Sequence, residues 1–219
     1  MRKSKRRVGF AIAKPTIRKT KENFSLSDSS IKIITEPLLI LKGIHGTTLS
    51  SAQNIVAHQL FQKTMAENGY TGSGVYFWRH NAYAKKLATC WYDYRVRRGD
   101  FKENKGAVIS VNIRVKENEF LDLETPLMKD IFGAFAMKLI NDDDDDVKIR
   151  KLKGGIYDLF IETLEKKTGI TCKVFQVRIP PPKKCQIYSR FQLFLGEPFC
   201  YVIRDESCIH IEKVEEIKQ

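Results

Sequence analysis

Leu38-Leu39-Ile40-Leu41-Lys42-Gly43-Ile44-His45-Gly46-Thr47, and further along Gly72-Ser73-Gly74-Val75-Tyr76-Phe77-Trp78, are the two stretches on which the fold turns. The first is an apolar run ending in a His and small residues. The second begins in small residues and runs into aromatics. Each reads as a strand meeting a loop, the first delivering His45 at its far end and the second starting Tyr76 on its way. Gly72 and Gly74 let the chain turn tightly into the second strand.

Between them, Ser50 opens a helix, with Gln53 three residues on as its capping partner. Ala52, Ile55, Val56 and Leu60 give that helix its apolar face, and Asn68-Gly69 stops it. Asn81 caps a second helix with an inner face of Ala84, Leu87, Ala88 and Trp91. A charged loop covers 95–106. Ile109, Val111, Ile113 and Val115 alternate with polar residues, the pattern of a half-buried strand. Thr125-Pro126 caps and starts a third helix running to about Ile140. The acidic run 142–146 reads as an exposed loop answered by a basic stretch at 148–153. Residues 156–167 form a fourth helix closed by Gly169. Beyond Cys172 the chain is strand-like at 174–179, 192–195, 199–204 and 209–214. Helices cluster early and strands late, so the expected class is α+β.

The chain has 219 residues, 42% of them hydrophobic, enough for one full core. We expect a basic arm over 1–30 and a single domain over 31–219. The net charge is +12, and Arg2, Lys3, Lys5, Arg6, Arg7, Lys14, Arg18, Lys19 and Lys21 put much of it at the front. Such an arm attracts polyanions by counterion release; a solvated tail and an organelle transit segment are the competing readings. The five cysteines, Cys90, Cys172, Cys185, Cys200 and Cys208, are odd in number and contain no C-x-x-C pair. No metal site, no disulfide framework and a reducing, cytoplasmic setting are therefore expected. No apolar run reaches the roughly 18 residues a membrane span needs, so no membrane partner is expected.

His45-Gly46-Thr47 and Gly72-Ser73-Gly74-Val75-Tyr76-Phe77-Trp78, in this order and separated by one capped helix, resemble the first two motifs of the ADP-ribosyltransferase superfamily, the fold of poly-ADP-ribose polymerases and diphtheria-toxin-like enzymes. The resemblance is greatest to bacterial ADP-ribosyltransferase-like toxin domains and extends in patches from Leu38 to Ile211. It implies split antiparallel sheets with peripheral helices, and NAD as substrate. His45 would hold the ribose, Gly46 would meet the carboxamide through its backbone, and Tyr76 would stack on nicotinamide. Thr47, Gly74, Phe77 and Ala84 would complete the pocket. The third motif of the family falls on Phe199-Cys200-Tyr201-Val202-Ile203-Arg204-Asp205, where Cys200 stands in the slot for Gln or Glu. Glu197, at the Gly196-Glu197-Pro198 turn, is the acid expected to serve instead. Arg79 is a second departure, since relatives tend to carry an acid there.

Cations with interleaved aromatics, namely Arg79, Lys85, Tyr92, Tyr94, Arg97 and Arg98, suggest that nucleic acid is the acceptor, RNA ahead of DNA. By analogy with the family's toxins and phage-defence effectors, an antitoxin would be a protein partner. A fold that kept its shape but lost turnover, an unrelated nucleic-acid-binding protein and, lower in rank, a tRNA 2′-phosphotransferase remain as alternatives.

Overall fold

The computed structural model describes residues 36–65, 70–140, 145–185, 194 and 196–218. The basic arm and, Phe194 apart, the strand expected at 192–195 therefore lie outside the described residues, as does Asn68-Gly69. Residues from Glu36 onward form one unit. Its centre is a seven-stranded sheet: β1 (Leu38–Thr48), β2 (Val75–Arg79), β3 (Gly106–Lys116), β4 (Phe120–Asp122), β5 (Val174–Arg178), β6 (Phe199–Ile203) and β7 (Ile209–Glu216). The order is β4-β5-β6-β2-β1-β3-β7, antiparallel except for β4 against β5. Four α-helices accompany it among the described residues: α1 (Leu49–His58), α2 (Ala84–Arg97), α3 (Pro126–Ala136) and α4 (Asp146–Thr168). The α+β class holds.

The sheet is narrow at one seam. β1 pairs with β3 along its whole length, from Leu38 opposite Lys116 to Thr48 opposite Gly106. With β2 it shares only Gly43 opposite Arg79 and Ile44 opposite Trp78. The expected pair of split sheets is thus one continuous sheet whose halves, β4-β5-β6-β2 and β1-β3-β7, are joined by a short ladder.

Strand alternation gives the sheet two buried faces. One carries Phe77, Ile109, Val111, Ile113, Val115, Tyr201 and Ile203, with Ala52 and Ile55 of α1 packed on it. The other carries Ile44, Trp78, Val108, Phe175, Val177, Cys200 and Val202 under α2 and α4. α2 contributes Ala84, Leu87, Ala88 and Cys90, whose spacing turns small and apolar residues inward. α4 contributes Tyr157, Phe160 and Ile161.

Several local expectations are corrected. The cap of α1 is Thr48, whose hydroxyl accepts from the Ser51 amide at 3.1 Å. Ser50 instead donates its own amide and hydroxyl to Glu103. α1 ends at His58, where Gln59 takes a left-handed conformation at φ 54°. α3 stops at Ala136, short of Ile140. The basic stretch at 148–153 is helix: Asp145 caps α4 by accepting from the Lys148 amide at 2.6 Å, and Gly169 closes it. A carboxylate before a helix is a cap as readily as a loop residue.

Cys90 and Cys185 form a disulfide, which overturns the expectation of none. It joins the inner face of α2 to the segment after β5.

Candidate functional site

The three strands bearing the motif residues are neighbours, in the order β6, β2, β1. Cys200 of β6 lies opposite Trp78, and Val202 lies opposite Tyr76. His45 stands where β1 and β2 stop pairing. Its Nδ1–H donates to the Tyr76 carbonyl at 2.8 Å. The imidazole so takes the part of a ladder donor as the strands diverge. Its ring meets Phe61 edge-on at 5.8 Å and Phe77 at 5.5 Å. Burial holds its pKa below the usual imidazole value, which favours the neutral ring. With Nδ1 protonated, Nε2 is an acceptor.

Tyr76 is differently placed. Its ring packs with the α2 and α4 cluster, while the Phe77 and Phe61 rings that hold His45 belong to the other face. The structure brings the His45 imidazole to the Tyr76 backbone and leaves the two side chains on opposite sides of the sheet. The Tyr76 hydroxyl donates to the Gly72 carbonyl at 2.5 Å and accepts from the Thr71 amide at 3.1 Å. Burial pushes its pKa up to about 12. Phe77, expected in the pocket, is fully buried in the core.

The turn before β2 is gripped from α4. Asp158 accepts from the Ser73 amide at 2.8 Å and from the Ser73 hydroxyl at 2.7 Å. Gly72, at φ +106°, makes room for it: a Cβ there would lie 2.7 Å from the Asp158 carboxylate. Sequence reasoning gave Asp158 no role, because its partner is 85 residues away in the chain.

Gly46 is a packing position. α2 lies directly on it, and an added Cβ would sit 2.1 Å from the Ala88 carbonyl oxygen. Ala88 is fully buried there, as is Ala84 one turn earlier in the helix. Because the obstacle is helix backbone, it cannot rotate away. We expect Gly46→Ala to cost about 3 kcal/mol, the upper range for overpacking, measured by urea unfolding; a cost below about 1 kcal/mol would mean that α2 does not bear on Gly46. Thr47 is buried, and Gly74, at φ +155°, fits under Val202 and the Ile203 carbonyl.

Cys200 is buried, and loss of hydration raises its thiol pKa far above neutrality. It is a neutral group with no carboxylate character. Glu197 is half-buried. Its charge is felt by Lys153 and Tyr157 of α4, on the helix that covers the Cys200 face. Lys153 stands over the Tyr70 ring at 4.2 Å.

The cations and aromatics proposed for nucleic acid do not form one patch. Lys85 is at the start of α2, bonded to Glu215 at 2.5 Å. Arg97 and Arg98 are at its other end, roughly 18 Å away at 1.5 Å per residue. Arg97 donates to the Lys183 carbonyl at 3.0 Å, and Arg98 pairs with Asp100 at 3.5 Å and covers the Tyr94 ring. Arg79 lies over Phe199. Tyr92 is buried, its hydroxyl donating to the Glu103 carbonyl at 2.9 Å, and so offers no surface for a base. Trp91, expected in the core, is half-buried. No protein-family model and no curated protein matches the chain.

Proposed function

We propose that the chain is an NAD-dependent ADP-ribosyltransferase, a toxin or defence effector that modifies nucleic acid and is restrained by an antitoxin. The observation that carries this is the seam. The strands with His45, Tyr76 and Cys200 are consecutive, and a neutral imidazole with an acceptor Nε2 sits where the first two part. Such a nitrogen can accept from a ribose hydroxyl. In the reaction the bond between nicotinamide and ribose C1′ breaks, nicotinamide leaves with the bonding pair, and an acceptor oxygen or nitrogen bonds to C1′ and gives up its proton. The protein's share is to hold the sugar and stabilise its positive charge.

Two observations favour a second reading, in which the fold is kept and turnover is lost. Cys200 supplies no charge where the family pattern has Gln or Glu. α2 fills the face of Gly46, so a ring could lie there only if the helix moved. The experiment is incubation with NAD labelled in the ADP-ribose moiety, together with RNA, single-stranded DNA or cell protein, following free nicotinamide and the labelled fraction. Label on RNA is expected. For an inactive module no nicotinamide appears at any protein concentration, yet Cys200→Glu produces it; appearance of turnover only in that variant would move the assignment to the second reading.

A further inference from the structure

Among the described residues, one half of the sheet is open on the α2 side. Along β1 and β3, even-numbered residues share the face of Ile44. α2 covers that face near Gly46, but Lys42, Arg114 and Lys116 beyond it are exposed, as are Leu38 and Ile40. The register sets Lys42 beside Asn112, Ile40 beside Arg114 and Leu38 beside Lys116. A bulge in β7 brings Lys213 opposite Ser110. Lys85, from the first turn of α2, closes the near end. An open groove of about 330 Å³ runs between these elements, lined by Lys42, His80, Lys85, Ser110, Glu212 and Lys213, among others.

We infer that this open face binds the backbone of a single nucleic-acid strand. The inference rests on the proposed function for its biological meaning, but the binding itself needs no NAD. Five cations, Lys42, Lys85, Arg114, Lys116 and Lys213, face two carboxylates, Glu212 and Glu215. Glu215 pairs with both Lys85 at 2.5 Å and Lys213 at 3.0 Å, which holds the two ammonium groups close together at one end of the groove; a phosphate would compete with that carboxylate for them. Same-face residues on a strand repeat at about 6.8 Å, a spacing like that between successive phosphates of an extended strand. Ser110 and Asn112 add neutral donors for phosphate or sugar oxygens. Ile40 and Leu38 offer apolar surface between the charges, where bases can rest.

The test is anisotropy of a short fluorescein-labelled single-stranded RNA on the full chain, at several salt concentrations. The triple variant Lys42→Ala, Arg114→Ala, Lys213→Ala is expected to weaken binding at least tenfold. Its slope of log K against log salt should fall by about 2, at roughly 0.7 per lost phosphate contact. In the wild-type protein, RNA should protect Lys42 and Lys213 from acetylation while leaving Lys166 and Lys167 of α4 reactive, a readout that does not depend on how the variant folds. Unchanged affinity and salt slope, with no protection, would overturn the inference. Displacement of the RNA by NAD at matched occupancy would also overturn it and assign the groove to a dinucleotide diphosphate. Equal retention on anionic phosphatidylserine vesicles, lost in the same variant, would assign it to a lipid surface. RNA binding that persists without nicotinamide release would leave this inference intact and remove only the enzymatic assignment.

Discussion

Cys90→Ala with Cys185→Ala is expected to lower the unfolding free energy by about 4 kcal/mol. The bridge spans 95 residues of chain. In the loop-closure model a cross-link of that span removes about 4.7 kcal/mol of denatured-chain entropy at 25 °C. Both residues are buried and belong to the cluster that α2 and α4 form with the sheet. Alanine is the preferred replacement, because serine would bury two hydroxyls without certain partners. A second tie between the same two elements survives, from Arg97 to the Lys183 carbonyl at 3.0 Å, so the segment is expected to stay docked while the whole domain loses stability.

Urea unfolding without reductant should show the midpoint of the variant falling by roughly 2 M, at a slope near 2 kcal/mol per M. The slope itself should rise, because the denatured chain is no longer held in a loop and exposes more surface. Wild-type protein with reductant should behave like the variant. Thiol titration under denaturing, non-reducing conditions should count the three free cysteines, Cys172, Cys200 and Cys208. A count of five, or a midpoint indifferent to reductant, would remove the cross-link from the account of stability.

The bridge also illustrates what a sequence conceals. Two cysteines 95 residues apart carry no local pattern, and only the approach of α2 to the segment after β5 pairs them. Patterns with a short period were legible. Alternation at Ile109, Val111, Ile113 and Val115 marked β3, and Ala84, Leu87 and Ala88 marked the inner face of α2. Further along α2 the same period misled. Trp91 continues that face on paper, but the segment after β5 covers Cys90 on one side, and the loop before β3 covers Tyr92 on the other. The start of α4 was hidden because an acidic run reads as solvated loop until one of its carboxylates is seen capping a helix.

The candidate site divides in the same way. The motifs read as bringing His45 and Tyr76 to one cleft; the structure brings the His45 imidazole to the Tyr76 carbonyl but sets the Tyr76 ring on the opposite face. Which face each side chain takes depends on register at the seam, and register there is set by only two paired positions. Asp158, the open cationic face and the sealing of Gly46 all depend on contacts between distant elements. None of them has a local sequence signature.

His45→Ala should reduce nicotinamide release at least a hundredfold, a loss of about 2.7 kcal/mol of transition-state stabilisation at 1.36 kcal/mol per tenfold. The side chain does two jobs that can be separated. Nδ1 closes the seam on the Tyr76 carbonyl, and Nε2 is the acceptor offered to a sugar hydroxyl. His45→Phe keeps the ring contacts with Phe61 and Phe77 and removes both nitrogens, so it tests the chemistry with the packing retained. The pH dependence supplies an independent handle. The folded-state pKa of His45 lies below its ordinary 6.5 because burial disfavours the charged ring. The unfolded chain therefore takes up a proton that the folded chain refuses. The stabilising contribution is fully present above pH 6.5 and is lost as pH falls from there toward the folded pKa. Wild-type stability should decline over that window, and this part of the decline should vanish in His45→Phe. A variant that keeps its nicotinamide release would end the assignment of the seam as a sugar-binding site, even if its stability profile changed as expected. One that loses release while unfolding at the same midpoint as wild type at pH 8 would tie the loss to the nitrogens and not to the fold.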